Sequence, residues 1–285
     1  MISMSQSPAV LTLPDDARVV LCDVWGVLHD GVAVFPDALT ALDRWRAEGR
    51  IVVLVTNAPR PRAAIARQLD GLGLTADHYD ALVSSGDTGL VMARAAGGRV
   101  GFLGAAHDRA ALLAAGLDLG PVEGASVVVC AAFDGGRDTV ESHEPELTAM
   151  RAAGARMLCL NPDRWALHAG VREPCAGLLA DRYAGMGGEV VFTGKPFPPI
   201  YQRALALAAE ARGTAVDPAE VVAVGDAVVT DLLGAATMGF RFVFVTQGIE
   251  AEEIAGSGIE AFLTTTRAAH GLPDFQPRAI TDALR

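Results

Sequence analysis

RVVLCDVWGVLHDG, residues 18–31, decides how the rest of the chain is read. Arg18–Cys22 (RVVLC) is an apolar run with no polar residue after its arginine, and an aspartate and then Gly26 follow it directly. Such a run fits a strand buried on both faces, as parallel sheets require. The pattern recurs at Ile51–Val55 (IVVLV), Val221–Val224 (VVAV) and Phe242–Val245 (FVFV), with helical patterns at Asp37–Glu48, Arg62–Leu72 and Ile200–Arg212. This alternation predicts an α/β fold, a Rossmann-like doubly wound parallel sheet with helices on both faces. A second set of strands is expected at Arg99–Leu103, Ser126–Ala132, Arg156–Leu160 and Glu189–Phe192. The last fifteen residues are weakly patterned and contain proline, so they are expected to wrap the surface.

The 285 residues suit one large domain or two modest ones. With 51% hydrophobic and 20% charged residues, a buried core is expected rather than disorder. A formal net charge of -11 excludes a general nucleic-acid binder, which needs a basic face. Cys22, Cys130, Cys159 and Cys175 form no CxxC pair, which points to reduced thiols rather than a disulfide or zinc framework. No apolar run reaches the ~18 residues a membrane helix needs. Met1 to Asp16 lacks a basic residue ahead of an apolar stretch, so no signal peptide is expected and the cytoplasm is the default.

Four signals stand at the ends of expected strands, where open α/β sheets bind their ligands. Asp23 closes the first strand, although a turn aspartate bonded to its own backbone has the same appearance. Thr56 and Asn57 close the next, where a hydroxyl and free N–H groups suit phosphate oxygens and equally suit a helix cap before Pro59 and Pro61. Gly194-Lys195-Pro196 follows EVVFT and presents a lysine from a loop, either into a site or to solvent. In VVAVGDAVVTDLLGAATMG, Asp226 ends a strand and Asp231 is expected to open an apolar helix with Thr230 as its cap. Three aspartates at one strand edge repel unless a cation or Lys195 offsets them. An all-oxygen set without His or Cys fits Mg²⁺ better than zinc.

The order Asp23, Thr56, Lys195, Asp226/Asp231 resembles the four motifs of the haloacid dehalogenase superfamily of aspartate-nucleophile hydrolases. VTN running into a helix that ends Gly71-Leu72-Gly73, LNPD at Leu160–Asp163, GKP and GDAVVTD resemble its class IIA, the NagD-like sugar and nucleotide phosphatases. The resemblance spans roughly residues 18 to 250. It implies a hydrolase core of residues 1–83 and 190–285 and an inserted α/β cap of residues 84–189 that sets substrate specificity. It implies Asp23 as the nucleophile of an aspartyl-phosphate, Thr56 and Asn57 on the phosphoryl oxygens, and Lys195 offsetting charge. Mg²⁺ is expected on Asp23, Asp226 and the backbone carbonyl of Trp25, with Asp231 orienting its shell and Asn161 and Asp163 contacting substrate from the cap. The implied substrate is a small phosphorylated metabolite, a sugar phosphate or nucleotide, and a homodimer is implied at the level of the family.

One position departs from the pattern. The family's phosphatases usually place a general acid and base two residues after the nucleophile, and here that residue is Trp25. Three explanations follow. The leaving group needs no proton, as in acyl, aryl or anhydride phosphates; or His29, His143, His168 or Asp163 substitutes; or the protein is a catalytically impaired binder of a phosphorylated ligand. Carbon–halogen cleavage ranks low, because it has no need of Asp226 and Asp231. Cys175, after a proline, is expected to begin a helix as a buried structural thiol. Gly98, Gly101 and Gly104 lack dinucleotide-loop spacing, and His78, His107 and His270 lack metal-site spacing.

Overall fold

The computed structural model describes residues 11–168, 171–272 and 274–284, apart from the side chains at 167, 168 and 171. Most of the Met1–Asp16 segment and the side chain of His168 therefore lie outside the described residues. In chain order the strands begin with β1 (Val19–Asp23), β2 (Ile51–Thr56) and β3 (Ala81–Ser84). Next come β4 (Val100–Leu103), β5 (Leu119–Gly120), β6 (Val127–Cys130) and β7 (Arg156–Cys159). The hairpin strands β8 (Trp165–His168) and β9 (Val171–Pro174) precede β10 (Glu189–Phe192). The last are β11 (Val221–Gly225), β12 (Arg241–Val245) and β13 (Ala279–Thr281).

The chain divides into two compact units. One takes in the stretches up to Val55, Leu69–Leu82 and everything from Ala204 on; the other takes in Thr56–Gln68 and Val83–Arg203. The first carries a six-stranded sheet in the order β13-β12-β11-β1-β2-β3, with the ends of β2 and β3 passing into the second unit. β1 pairs in parallel with β11 on one side and β2 on the other, Asp23 lying in register with Val55. The chain thus starts in the middle, builds outward to β3, and later returns to fill the other half. That reversal between β1 and β11 is a topological switch point, where strand ends leave a crevice.

Every residue of β1 and β11 is buried, which explains their uninterrupted apolar sequence. Helix Pro36–Ala47 shows how the cover forms: proline opens it, Asp37 sits in its first turn, and Arg44 and Arg46 sit in its last. These charges complement the helix dipole, while Ala38, Ala41, Leu42 and Trp45 form the buried stripe at helical spacing.

The second unit has its own parallel sheet, in the order β10-β7-β6-β4-β5. Side chains alternate across it. Val128, Cys130, Met157 and Cys159 join one core with Leu147, Met150, Leu179 and Tyr183, whereas Val129 and Leu158 join another with Leu90, Ala93 and Leu112. Helices therefore cover both faces, as the apolar runs require.

Several expectations need correction. The final residues do not merely wrap the surface: Ala279–Thr281 pair in parallel with β12 and form a sheet edge. Thr230 does not cap a helix begun by Asp231; both lie within a π-helical turn, Val228–Leu232, and the α-helix is Leu233–Met238. Separately from those corrections, contact grouping places Thr56–Gln68 and the segment around Lys195 with the middle of the chain. Hydrogen bonds from Asn57 to Asp163 and to the Lys195 backbone give the physical reason.

Asp108, 1% exposed in the first turn of helix Ala106–Ala114, has no hydrogen-bond partner at either carboxylate oxygen. Burial raises its pKa, against the nearby charges of His107 and Arg60. The folded state therefore holds the proton more tightly than the unfolded chain. No penalty exists below the ordinary carboxylate range, and one accumulates as pH rises through it. Asp108→Asn is expected to raise the unfolding midpoint by about 2–4 °C near pH 7. That gain should shrink toward zero near pH 4, which paired thermal melts would measure.

Candidate active site

Asp23 is the last residue of β1, and Asp226 follows directly on β11. The fold thus sets two carboxylates at the carboxyl ends of neighbouring strands, at the switch point. Asp231 arrives from the π-helical turn five residues later. All three are buried, and one carboxylate oxygen from each lies within 4.8 Å of the others. Full charges at that spacing repel by about 3 kcal/mol per pair at an effective dielectric near 20. Summed over three pairs, this approaches the whole stability of a typical domain, about 5–15 kcal/mol. A buried, oxygen-only donor set of this kind fits a hard divalent cation such as Mg²⁺.

The backbone is shaped around these groups. Ile249 donates its N–H to Asp226 Oδ2 at 2.7 Å. Gly248 leaves the necessary room: a Cβ there would lie 1.9 Å from Asp226 Oδ2 and 2.2 Å from its Cβ. Val228, which opens the π-helical turn, donates its N–H to Glu250 at 3.2 and 3.1 Å from the two carboxylate oxygens. Burial pushes Glu250 up to about 8, opposed by that Val228 bond and reinforced by the charges of Asp231 and Glu253.

Trp25 lies on the loop after β1, half-buried, its ring edge-on to His29 with centroids 5.0 Å apart. A Cβ on Gly31 would fall 2.4 Å from the indole, so this glycine lets the ring settle on the loop. His29 is buried, and its Nδ1 accepts the Gly31 N–H at 2.8 Å, which leaves the proton on Nε2. Burial lowers its pKa, with Asp30 acting the other way, so the ring is neutral.

In the second unit, Asn57 clasps two segments at once. Its Nδ2 donates to Asp163 Oδ1 at 2.8 Å and to the Lys195 carbonyl at 3.1 Å, while its Oδ1 accepts the Lys195 N–H at 2.7 Å. Gly194 permits this approach, since a Cβ would lie 2.4 Å from Asn57 Oδ1. Thr56, Asn57 and Lys195 are all buried, and Thr56 Oγ1 accepts the Ala58 N–H. Asn161 Oδ1 accepts the Asp163 N–H at 3.1 Å, an Asx turn that aims Asp163 at Asn57.

The other candidates are used structurally. His143 is buried with Nε2 accepting the Asp134 N–H and Nδ1 beside the Thr139 carbonyl, which braces a loop. Cys175 does precede helix Ala176–Gly185, and burial pushes its thiol up to about 12, so it is an inert packing group at neutral pH. All four cysteines are buried thiols outside any disulfide. Sequence reasoning missed the Gly248–Glu250 segment. Its only local signal was a glycine shortly after a buried strand.

A haloacid dehalogenase-like hydrolase family model matches residues 20–118, and a HAD-hydrolase-like model matches residues 192–284. Chronophin from Mus musculus is 30% identical over 280 residues, covering 94% of this chain and 92% of chronophin. The chain is a haloacid dehalogenase-like hydrolase. A haloacid dehalogenase-like family hydrolase from Brucella suis 1330 is 34% identical, with a TM-score of 0.80 and coverage of 95% of this chain and 97% of that one. A p-nitrophenyl phosphatase from Archaeoglobus fulgidus, at 24% identity, shares the fold with a TM-score of 0.72 over 94% of this chain and 97% of its own. Among the described residues, no helix is long and apolar enough to cross a membrane.

Proposed function

We propose that this hydrolase is a Mg²⁺-dependent phosphatase acting on a small phosphorylated metabolite through an aspartyl-phosphate on Asp23. The observation that carries this is the convergence of Asp23, Asp226 and Asp231 within 4.8 Å. The presence of a p-nitrophenyl phosphatase among its structural relatives supports the phosphate-ester class.

In the first step an Asp23 oxygen attacks phosphorus in line and the bond from phosphorus to the leaving oxygen breaks. Water then attacks the same phosphorus, releasing inorganic phosphate and regenerating the Asp23 carboxylate. Asp23, Asp226 and the Trp25 carbonyl would hold the cation, and Asp231 would orient that shell. Bound there, Mg²⁺ supplies positive charge against the phosphoryl oxygens and the carboxylates. Thr56 and Asn57 hold phosphoryl oxygens through hydroxyl and backbone N–H groups, because the Asn57 amide is committed to Lys195 and Asp163. Lys195 offsets charge on nucleophile and substrate. Residues 84–189 act as the cap that selects the metabolite, a sugar phosphate or nucleotide.

Trp25 favours a second function, a phosphorylated-ligand binder that turns over slowly, since an indole neither donates nor accepts the required proton. One assay separates the two. Acetyl phosphate, p-nitrophenyl phosphate and an alkyl sugar phosphate are supplied with Mg²⁺ or with EDTA, and phosphate release is followed. Turnover with Mg²⁺ that EDTA abolishes and excess Mg²⁺ restores is the expected result. No turnover of any of the three, with no trapped phosphoprotein, would leave the binder.

A further inference from the structure

Residues 248–250, just beyond β12, reach both of the loops that carry Asp226 and Asp231. Gly248 packs against the Asp226 side chain, and Ile249 N–H donates to its Oδ2 at 2.7 Å. Glu250, the next residue, receives Val228 N–H on both carboxylate oxygens, at 3.2 and 3.1 Å. Val228 is the first residue of the π-helical turn, and Ala227 before it offers no side-chain cap. Within that turn the Asp231 and Leu232 N–H groups both donate to the Ala227 carbonyl, at 3.0 and 3.1 Å. The orientation of Asp231 is therefore set by a short turn whose N-terminal donor is satisfied only from outside. Glu250 supplies that cap from 22 residues away in sequence.

We infer that Glu250 is a positioning residue for the cation site, holding Asp231 in place by capping the turn that bears it. It does not act as a ligand, because the carboxylate cluster within 4.8 Å among the described residues comprises Asp23, Asp226 and Asp231. The chemistry required of it is that of a hydrogen-bond acceptor at the end of a side chain of glutamate length. Glutamine meets that requirement and alanine does not. This inference rests on the Mg²⁺ function proposed above.

The test is titration of MgCl₂ into the metal-free full chain by isothermal calorimetry, for wild type, Glu250→Gln and Glu250→Ala, with Glu253→Ala as a neighbouring control. Outer-sphere partners of this kind are worth about 10- to 100-fold in metal affinity. Glu250→Ala should weaken Mg²⁺ binding by about tenfold or more. Glu250→Gln should stay within about threefold of wild type, as should Glu253→Ala, because both keep the acceptor. Hydrogen exchange over residues 227–232 in the metal-free protein should quicken in Glu250→Ala alone, which separates a loosened turn from global unfolding. Undiminished Mg²⁺ affinity in Glu250→Ala, or an equal loss in Glu250→Gln, overturns the inference while the Mg²⁺ function stands. A wild type that binds no Mg²⁺ overturns both.

Discussion

Asp23→Asn is expected to lower turnover of p-nitrophenyl phosphate by about 10⁴-fold or more, the scale on which loss of a covalent nucleophile is felt. Asparagine has nearly the same shape, so the strand end and its pairing to β2 should survive. What disappears is the oxygen nucleophile and one of three crowded negative charges. The second loss has its own signature. Relieving repulsion among buried carboxylates should leave the metal-free variant at least as resistant to heat as wild type, while Mg²⁺ should raise its unfolding midpoint less. Acid quench during turnover should trap a phosphoprotein in wild type and none in Asp23→Asn. A variant that keeps a tenth of the wild-type rate would show that water attacks the substrate directly and that Asp23 is only a ligand.

The parallel sheet was legible because its central strands are buried on both faces, which calls for unbroken apolar runs such as VVLC, IVVLV and VVAV. Strands at the edges were not. β5 has two residues and β13 three, too few for any periodicity, and they become strands only because a longer neighbour offers its backbone groups. The same distinction runs through the site. Asp23 and Asp226 stand out because a carboxylate directly after a buried strand has few structural uses. Asp231 was visible but its setting was not, because a π-helical turn differs from an α-helical start by a single residue of spacing. Asn57 looked like a phosphate contact or a cap, yet its side chain is spent on Lys195, 138 residues away. Glu250 was invisible, since its partner depends on where the loop after β12 meets the turn after β11, and no local pattern encodes that meeting.

Trp25→Asp should change which substrates are turned over well, and by different amounts for each. The loop backbone around it is held by Gly26 N–H to the His29 carbonyl and by Leu28 N–H to the Val24 carbonyl, bonds that no side chain at 25 makes. The residue-25 carbonyl should therefore remain where it is, and cation affinity should change little. The indole's packing on His29 and Gly31 is lost, so the unfolding midpoint should fall. Against that, a carboxyl group now stands two residues beyond the nucleophile. An alkyl alkoxide is a strong base and must be protonated as it leaves, which is where an acid contributes about 10²–10⁴-fold. The alkyl sugar phosphate should gain by that order, p-nitrophenyl phosphate far less, and acetyl phosphate scarcely at all. In wild type the rate should therefore fall steeply as the leaving group becomes more basic, and in Trp25→Asp that dependence should flatten. An equal gain across all three substrates would mean that the tryptophan blocks access rather than lacks a proton. No gain on the alkyl ester would mean that His29 or Asp163 already carries the proton in the native protein.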